Sequence, residues 1–188
     1  MKTTILLILG ASALVAYPAL TQEPAKSSDA KACCADAAVC ATLSMDCVKR
    51  MAGTWVTLGP DGRPTDEVVS EYRITAGGSA VIETLFPGQE HEMITMYYQS
   101  GDDVKCTHYC AFGNHPTFKL TSNAETGEML YSCVGSGANF ENCAETVHMH
   151  EGRLKMVAED RAQTVWQAYE DGKPSKDHRV TFELARVK

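Results

Sequence analysis

The sequence predicts an all-β fold: about ten short strands in an antiparallel up-and-down barrel, preceded by one short helix. Three observations carry this. From Gly53 onward, runs rich in Val, Ile, Thr, Tyr and Phe alternate with clusters of Gly, Pro, Asp and Ser at hairpin spacing. The only stretch with helical periodicity precedes Gly53. A meander of that many strands must also remove its free edges, which closure into a barrel does most simply; two packed sheets are the alternative.

The elements follow in order. Lys2 and the apolar run Ile5 to Ala16 read as the charged and apolar parts of a secretory signal peptide. The run is too short for a membrane span, and no other stretch is long and apolar enough to be one. Cleavage is placed after Thr21, with Ala16 as the alternative, so the signal covers 1–21. Residues 22–41 are rich in Ala, Ser, Lys and Asp, lack periodicity and read as a flexible leader carrying Cys33, Cys34 and Cys40. The folded domain is 42–188. Its helix is expected over 42–51, with Thr42 or Ser44 as cap, Leu43, Cys47 and Met51 on one stripe, and Gly53 as terminator. The strands are expected at 53–58, 68–75, 79–86, 92–99, 103–112, 117–121, 129–134, 146–158 (bent at Gly152), 163–169 and 179–187. The longest break is 135–145.

Composition bounds the function. The 188 residues suffice for one domain with a core, and the formal charge of -7 argues against nucleic acid and anionic membranes as partners. All eight cysteines follow the signal, so in an exported chain disulfides are the default. Strand geometry restricts the pairs. Cys106 and Cys110, four residues apart on one strand, have Cα atoms roughly 13 Å apart, well beyond the about 7 Å a disulfide allows. Cys133 and Cys143 flank a Gly-rich loop and are placed to pair. At least one of Cys106 and Cys110 is expected to bond to Cys133 or Cys143. The four N-terminal cysteines admit several pairings.

The densest chemistry lies in Cys106-Thr107-His108-Tyr109-Cys110-Ala111-Phe112-Gly113-Asn114-His115-Pro116. On a strand, Cys106, His108 and Cys110 share one face, and Thr107, Tyr109 and Ala111 the other. His148 and His150 likewise share a face, opposed by Met149, with Cα atoms about 7 Å apart. His108, His148 and His150, with Cys110 as a conditional fourth ligand and Cys106 or His91 as substitutes for it, therefore make a candidate site for zinc or copper. This requires the fifth and eighth strands to face each other across the barrel. Met93, Thr95 and Tyr97 share a mixed face of the fourth strand. Together with Tyr109, Asn114 at the barrel mouth and Trp166, they form the candidate lining of a small-ligand site. Covalent c-type haem is not expected, because no Cys-x-x-Cys-His occurs.

The domain from about Thr42 to Lys188 resembles a group of exported bacterial lipocalin-like, calycin-type domain proteins. The residues that carry this are Gly53-Thr54-Trp55, Glu92-Met93-x-Thr95-x-Tyr97, Thr107-His108-Tyr109-Cys110, Gly113-Asn114-x-Pro116, His148-Met149-His150, Trp166 and Asp171-Gly172-Lys173. Cys106 departs from the aliphatic residue usual there, and His115 from Gln. The resemblance implies a calycin-type barrel and implies no activity.

Three functions follow as expectations. The first is an exported, periplasmic or extracellular binding protein for a small apolar molecule or a metal ion, with a His-rich interior site. The second is a metalloenzyme with a three-His zinc or copper site, although no catalytic residue can be assigned. The third is a disulfide-stabilised structural or interaction domain.

Overall fold

Alternation of apolar and polar side chains sets the strands. In 80–85 and 103–108 every second residue is buried, as a sheet with one face on a core requires. A computed structural model describes residues 42–136 and 146–187. The expected signal and leader, and Cys143, lie outside the described residues. So do the pairings proposed for Cys33, Cys34, Cys40 and Cys143.

Helix α1 (Met45–Lys49) is followed by β1 (Gly53–Leu58), β2 (Pro64–Thr75), β3 (Ala80–Leu85), β4 (Met93–Ser100), β5 (Asp103–Tyr109), β6 (Pro116–Asn123), β7 (Glu128–Ser136), β8 (His148–Ala158), β9 (Arg161–Glu170) and β10 (Lys173–Arg186). Each strand pairs antiparallel with its sequence neighbours, and β1 pairs with β10, so the ten-stranded sheet closes. The expected all-β meander is thus the observed one. Its turns use the expected chemistry: Asp171 and Gly172 both have positive φ (51° and 69°), the pair that a two-residue hairpin turn demands.

Several boundaries differ from the sequence reading. Strand β2 starts at Pro64 rather than Val68, with the Thr57 and Thr65 hydroxyls 2.6 Å apart across the hairpin. Strand β5 stops at Tyr109, because Cys110 already belongs to a turn: its N–H donates to Asn114 O (2.9 Å), and the Gly113 N–H donates to Cys110 O (2.9 Å). The irregularities of β8 are register shifts between Met149 and Glu151 and between Met156 and Ala158, not a bend at Gly152.

Helix α1 packs against β2, β3 and β4. Met45, Cys47, Val48 and Met51 join the core there, so Val48 and Met45 supplement the expected stripe. The Trp55 indole N–H donates to Met51 O (2.8 Å). Arg186 lies 4.4 Å over the Trp55 ring and donates to the carbonyls of Ala52 and Arg50. One guanidinium therefore ties the helix end, the first strand and the last strand together. A Cβ at Gly53 (φ +125°) would abut that side chain, which accounts for Gly53-x-Trp55.

Beyond the helix, Tyr97, Phe118, Tyr131, Leu154 and Trp166 continue the packed core. Gly152 pairs with Trp166, and a methyl there would lie 2.7 Å from Trp166 Cε3. The indole is itself packed on Tyr131 (4.9 Å between centroids) and stacked on His108 (6.1 Å). Gly152→Ala is therefore expected to destabilise the domain by about 1–3 kcal/mol through overpacking. A lowered urea midpoint checks this; an unchanged midpoint would mean that the indole can move aside freely.

Candidate metal centre

An up-and-down sheet places alternate connections at the same end. Connections 75–80, 100–103, 123–128 and 158–161 lie at the α1 end; 58–64, 85–93, 109–116 and 170–173 lie at the other, the mouth, where β7 also ends and β8 begins. All six histidines fall in or near the mouth half: His91 and His115 in its connections, His108 near the end of β5, His148 and His150 at the start of β8, and His178 against Phe112 of the 109–116 connection (5.2 Å).

The start of β8 organises the cluster. His148 pairs with Tyr169 and Met149 with fully buried Ala168; the bulge then leaves His150 as the extra residue. Met149 packs against the core, while the His148 and His150 rings come together, Nε2 of the first 2.9 Å from Nδ1 of the second. The shared face expected for the His pair is observed. The His150 ring stacks on Tyr169 at 4.0 Å, which fixes its plane. His148 is 1% exposed, and its Nδ1–H donates to Thr146 O at 2.6 Å. That bond fixes the tautomer and leaves the Nε2 lone pair directed into the cluster, as when a metal-ligating imidazole donates its other N–H to a backbone carbonyl.

Cys133 completes the group. The β7–β8 ladder ends at Ser132–Glu151. Past this last rung the Cys133 side chain reaches the imidazoles of β8. One ligand atom each from Cys133, His148 and His150 lie within 4.8 Å of one another. The Cys133 thiol also donates to Gly135 O (3.7 Å). A tetrahedral zinc-class ion, with bonds of about 2.0–2.3 Å, needs N···N near 3.3 Å and N···S near 3.6 Å. The two imidazole nitrogens, 2.9 Å apart, lie slightly inside that spacing, and the three ligand atoms, within 4.8 Å, would close around an ion to reach it. Partial burial, then the neighbouring His148, holds the His150 pKa below its ordinary value, which favours the neutral, ligating form.

The expected set His108, His148, His150 and Cys110 divides accordingly: the structure brings His148 and His150 together, and Cys133 stands where His108 and Cys110 were expected. His108 sits on β5, with β6 and β7 between it and β8. Its Nδ1 is 2.9 Å from the Thr95 hydroxyl, and burial lowers its pKa to about 4. Cys110 lies in the turn after β5, where burial raises its thiol pKa. Cys106 and Cys110 are both free thiols, correcting the expectation that at least one joins a disulfide. Cys106 and Cys133 both pair with Phe118 from opposite sides, so two strand spacings, roughly 9–10 Å, separate them.

The expected ligand lining is dispersed. Thr95 and Tyr97 are fully buried and engaged, Thr95 with His108 and Tyr97 with Glu83 (2.7 Å). Met93 is half-buried, and Tyr109 is 54% exposed, stacked on His115. Trp166 packs in the core, and Asn114 is buried in the mouth.

Sequence reasoning missed Glu83. It lies in register with Tyr72 and Thr95, and Thr95 with His108, forming one polar row across β2 to β5. Ser70 (2.9 Å) and Tyr72 (2.6 Å) donate to its Oε1, and Tyr97 (2.7 Å) to its Oε2. Burial raises the Glu83 pKa against these three hydrogen bonds. Burial and the Glu83 charge together raise those of Tyr72 and Tyr97 well above the ordinary tyrosine value. The signal was present: Val81-x-Glu83-x-Leu85 points the carboxyl inward with two apolar neighbours.

The fold and cluster together define an all-β, ring-closed domain with a Cys–His–His group that could hold a metal ion. No protein-family model, curated protein or solved structure matches the chain. No helix among the described residues is long and apolar enough to cross a membrane.

Proposed function

We propose that this chain is an exported, lipocalin-like barrel protein that binds one zinc or copper ion through Cys133, His148 and His150. The observation that carries the reading is the convergence of three ligand atoms within 4.8 Å, from two strands, with the His148 tautomer already set by Thr146. One thiolate with two imidazoles selects soft or borderline ions over magnesium and calcium. The run from Ile5 to Ala16 supports export. An apolar molecule inside the barrel is less well supported, because Trp55, Tyr97, Phe118 and Tyr131 fill that space.

The test is metal analysis of the full chain, purified without a histidine tag under reducing conditions. Zinc or copper is expected at one ion per chain, and cobalt(II) loading should give a thiolate-to-cobalt charge-transfer band. Sub-stoichiometric metal without that band overturns the proposal.

A further inference from the structure

Strand β4 is apolar on both of its faces. Thr95 and Tyr97 point inward and are fully buried. Ile94, Met96 and Tyr98 alternate with them and point outward. An antiparallel strand with one face toward water ordinarily carries polar residues on that face. The neighbouring strands enlarge the patch: Ile82 of β3 is in register with Met96, and Tyr109 of β5 with Ile94. Ile94 and Tyr109 are 40% and 54% exposed. A contiguous apolar patch on the outside of a protein marks a surface that another molecule covers.

The charges at its rim point to the occupant. Glu71 of β2 lies in the row of Thr84 and Ile94. Lys105 of β5 lies two residues further along the sheet, in the row of Tyr98. The acid and the base thus stand at opposite corners of the patch. Neither has an ion pair among the described residues. From β2 to β5 is three strand spacings, and from the Ile94 row to the Tyr98 row four residues, so the patch measures roughly 14 Å each way. Its diagonals therefore lie near 45° to the strands. A two-fold axis along the diagonal that joins the other two corners exchanges Glu71 with Lys105. It also crosses the strands of two copies at about a right angle, one of the two ways in which sheets stack.

We infer that the outer face of β3–β5 packs on the same face of a second copy of this chain, with Met96 at the centre and Glu71 of each copy on Lys105 of the other. No property of the metal group enters this. The footprint is small for a stable interface, so the dimer is weak and reversible.

Sedimentation equilibrium of the full chain, from about 10 μM to 1 mM, tests this. A monomer–dimer equilibrium is expected. Met96→Glu places a charge at the centre and should raise the dissociation constant about 30-fold or more, while the far-UV circular dichroism stays that of the wild type. Ile94→Lys, at an exposed position, serves the same end if Met96→Glu does not fold. Glu71→Lys and Lys105→Glu should each weaken the dimer about tenfold, because by symmetry each change spoils both corner pairs. The double variant, with the charges swapped, should restore it. A monomer at every concentration overturns the inference, whether or not the same face then binds anionic vesicles. So does a dimer that both Met96→Glu and Ile94→Lys leave intact. A double variant no better than the single ones overturns the crossed arrangement.

Discussion

Replacing His148 with alanine should weaken zinc or cobalt binding by more than about 100-fold, beyond what loss of an outer-shell partner usually costs. His148 is the pivot of the cluster. It is almost fully buried, its ring is held by Thr146, and it faces His150 at 2.9 Å. His150→Ala and Cys133→Ser should weaken binding to a similar degree, and the serine variant should also lose the charge-transfer band. His108→Ala should leave metal affinity unchanged, since His108 is engaged with Thr95 and Trp166 on β5. Competition with a chromophoric chelator measures all four. Equal losses for His108→Ala and His148→Ala would show that the effect is general destabilisation, not ligand removal.

The second large effect concerns pH. His108 is neutral in the fold, with a pKa lowered to about 4 by burial, against about 6.5 in the unfolded chain. Between these values the unfolded chain binds a proton that the folded chain does not. Stability is therefore full above about pH 6.5 and is lost as pH falls toward 4, a contribution of about 3 kcal/mol. Glu83 has the opposite sign. Its folded pKa is raised by burial, so the folded chain holds the proton more tightly, and stability is lost as pH rises above the ordinary carboxyl value. The two slopes oppose each other from the ordinary carboxyl value, about 4.3, upward, inside the window below about pH 6.5 in which His108 acts. Wild-type stability is thus expected to rise less steeply there than His108 alone would make it. Glu83→Gln should unmask the His108 slope, so that this variant gains stability as pH rises across the window. Urea denaturation at several pH values checks this; parallel pH profiles for the two proteins would mean that Glu83 does not titrate in that range.

Much of the domain was legible in its residues. Period-two alternation, Asp171-Gly172 and the other turn pairs, and the short stripe ahead of Gly53 gave ten strands and one helix, because these signals are local. The proximity of His148 and His150 was legible in part: residues two apart on a regular strand share a face, but the bulge that makes His150 the extra residue, and so sets how the rings meet, is not written locally. The Val81-x-Glu83-x-Leu85 pattern likewise pointed a carboxyl inward, though its three hydroxyl partners come from two other strands.

What only the tertiary structure decided is which distant residues meet. A sequence gives the face on which His108 stands but not its distance around the ring from β8, and β6 and β7 intervene. It places Cys133 beside a loop, where a disulfide is the default, and says nothing of a ladder that ends at Ser132 and lets the thiol reach two imidazoles. Nor can it reveal that Asn114 donates its amide to Val147 O while its Oδ1 meets no donor among the described residues. Local patterns determine the elements because backbone geometry repeats every two residues. The site depends on register and closure, which long-range packing sets.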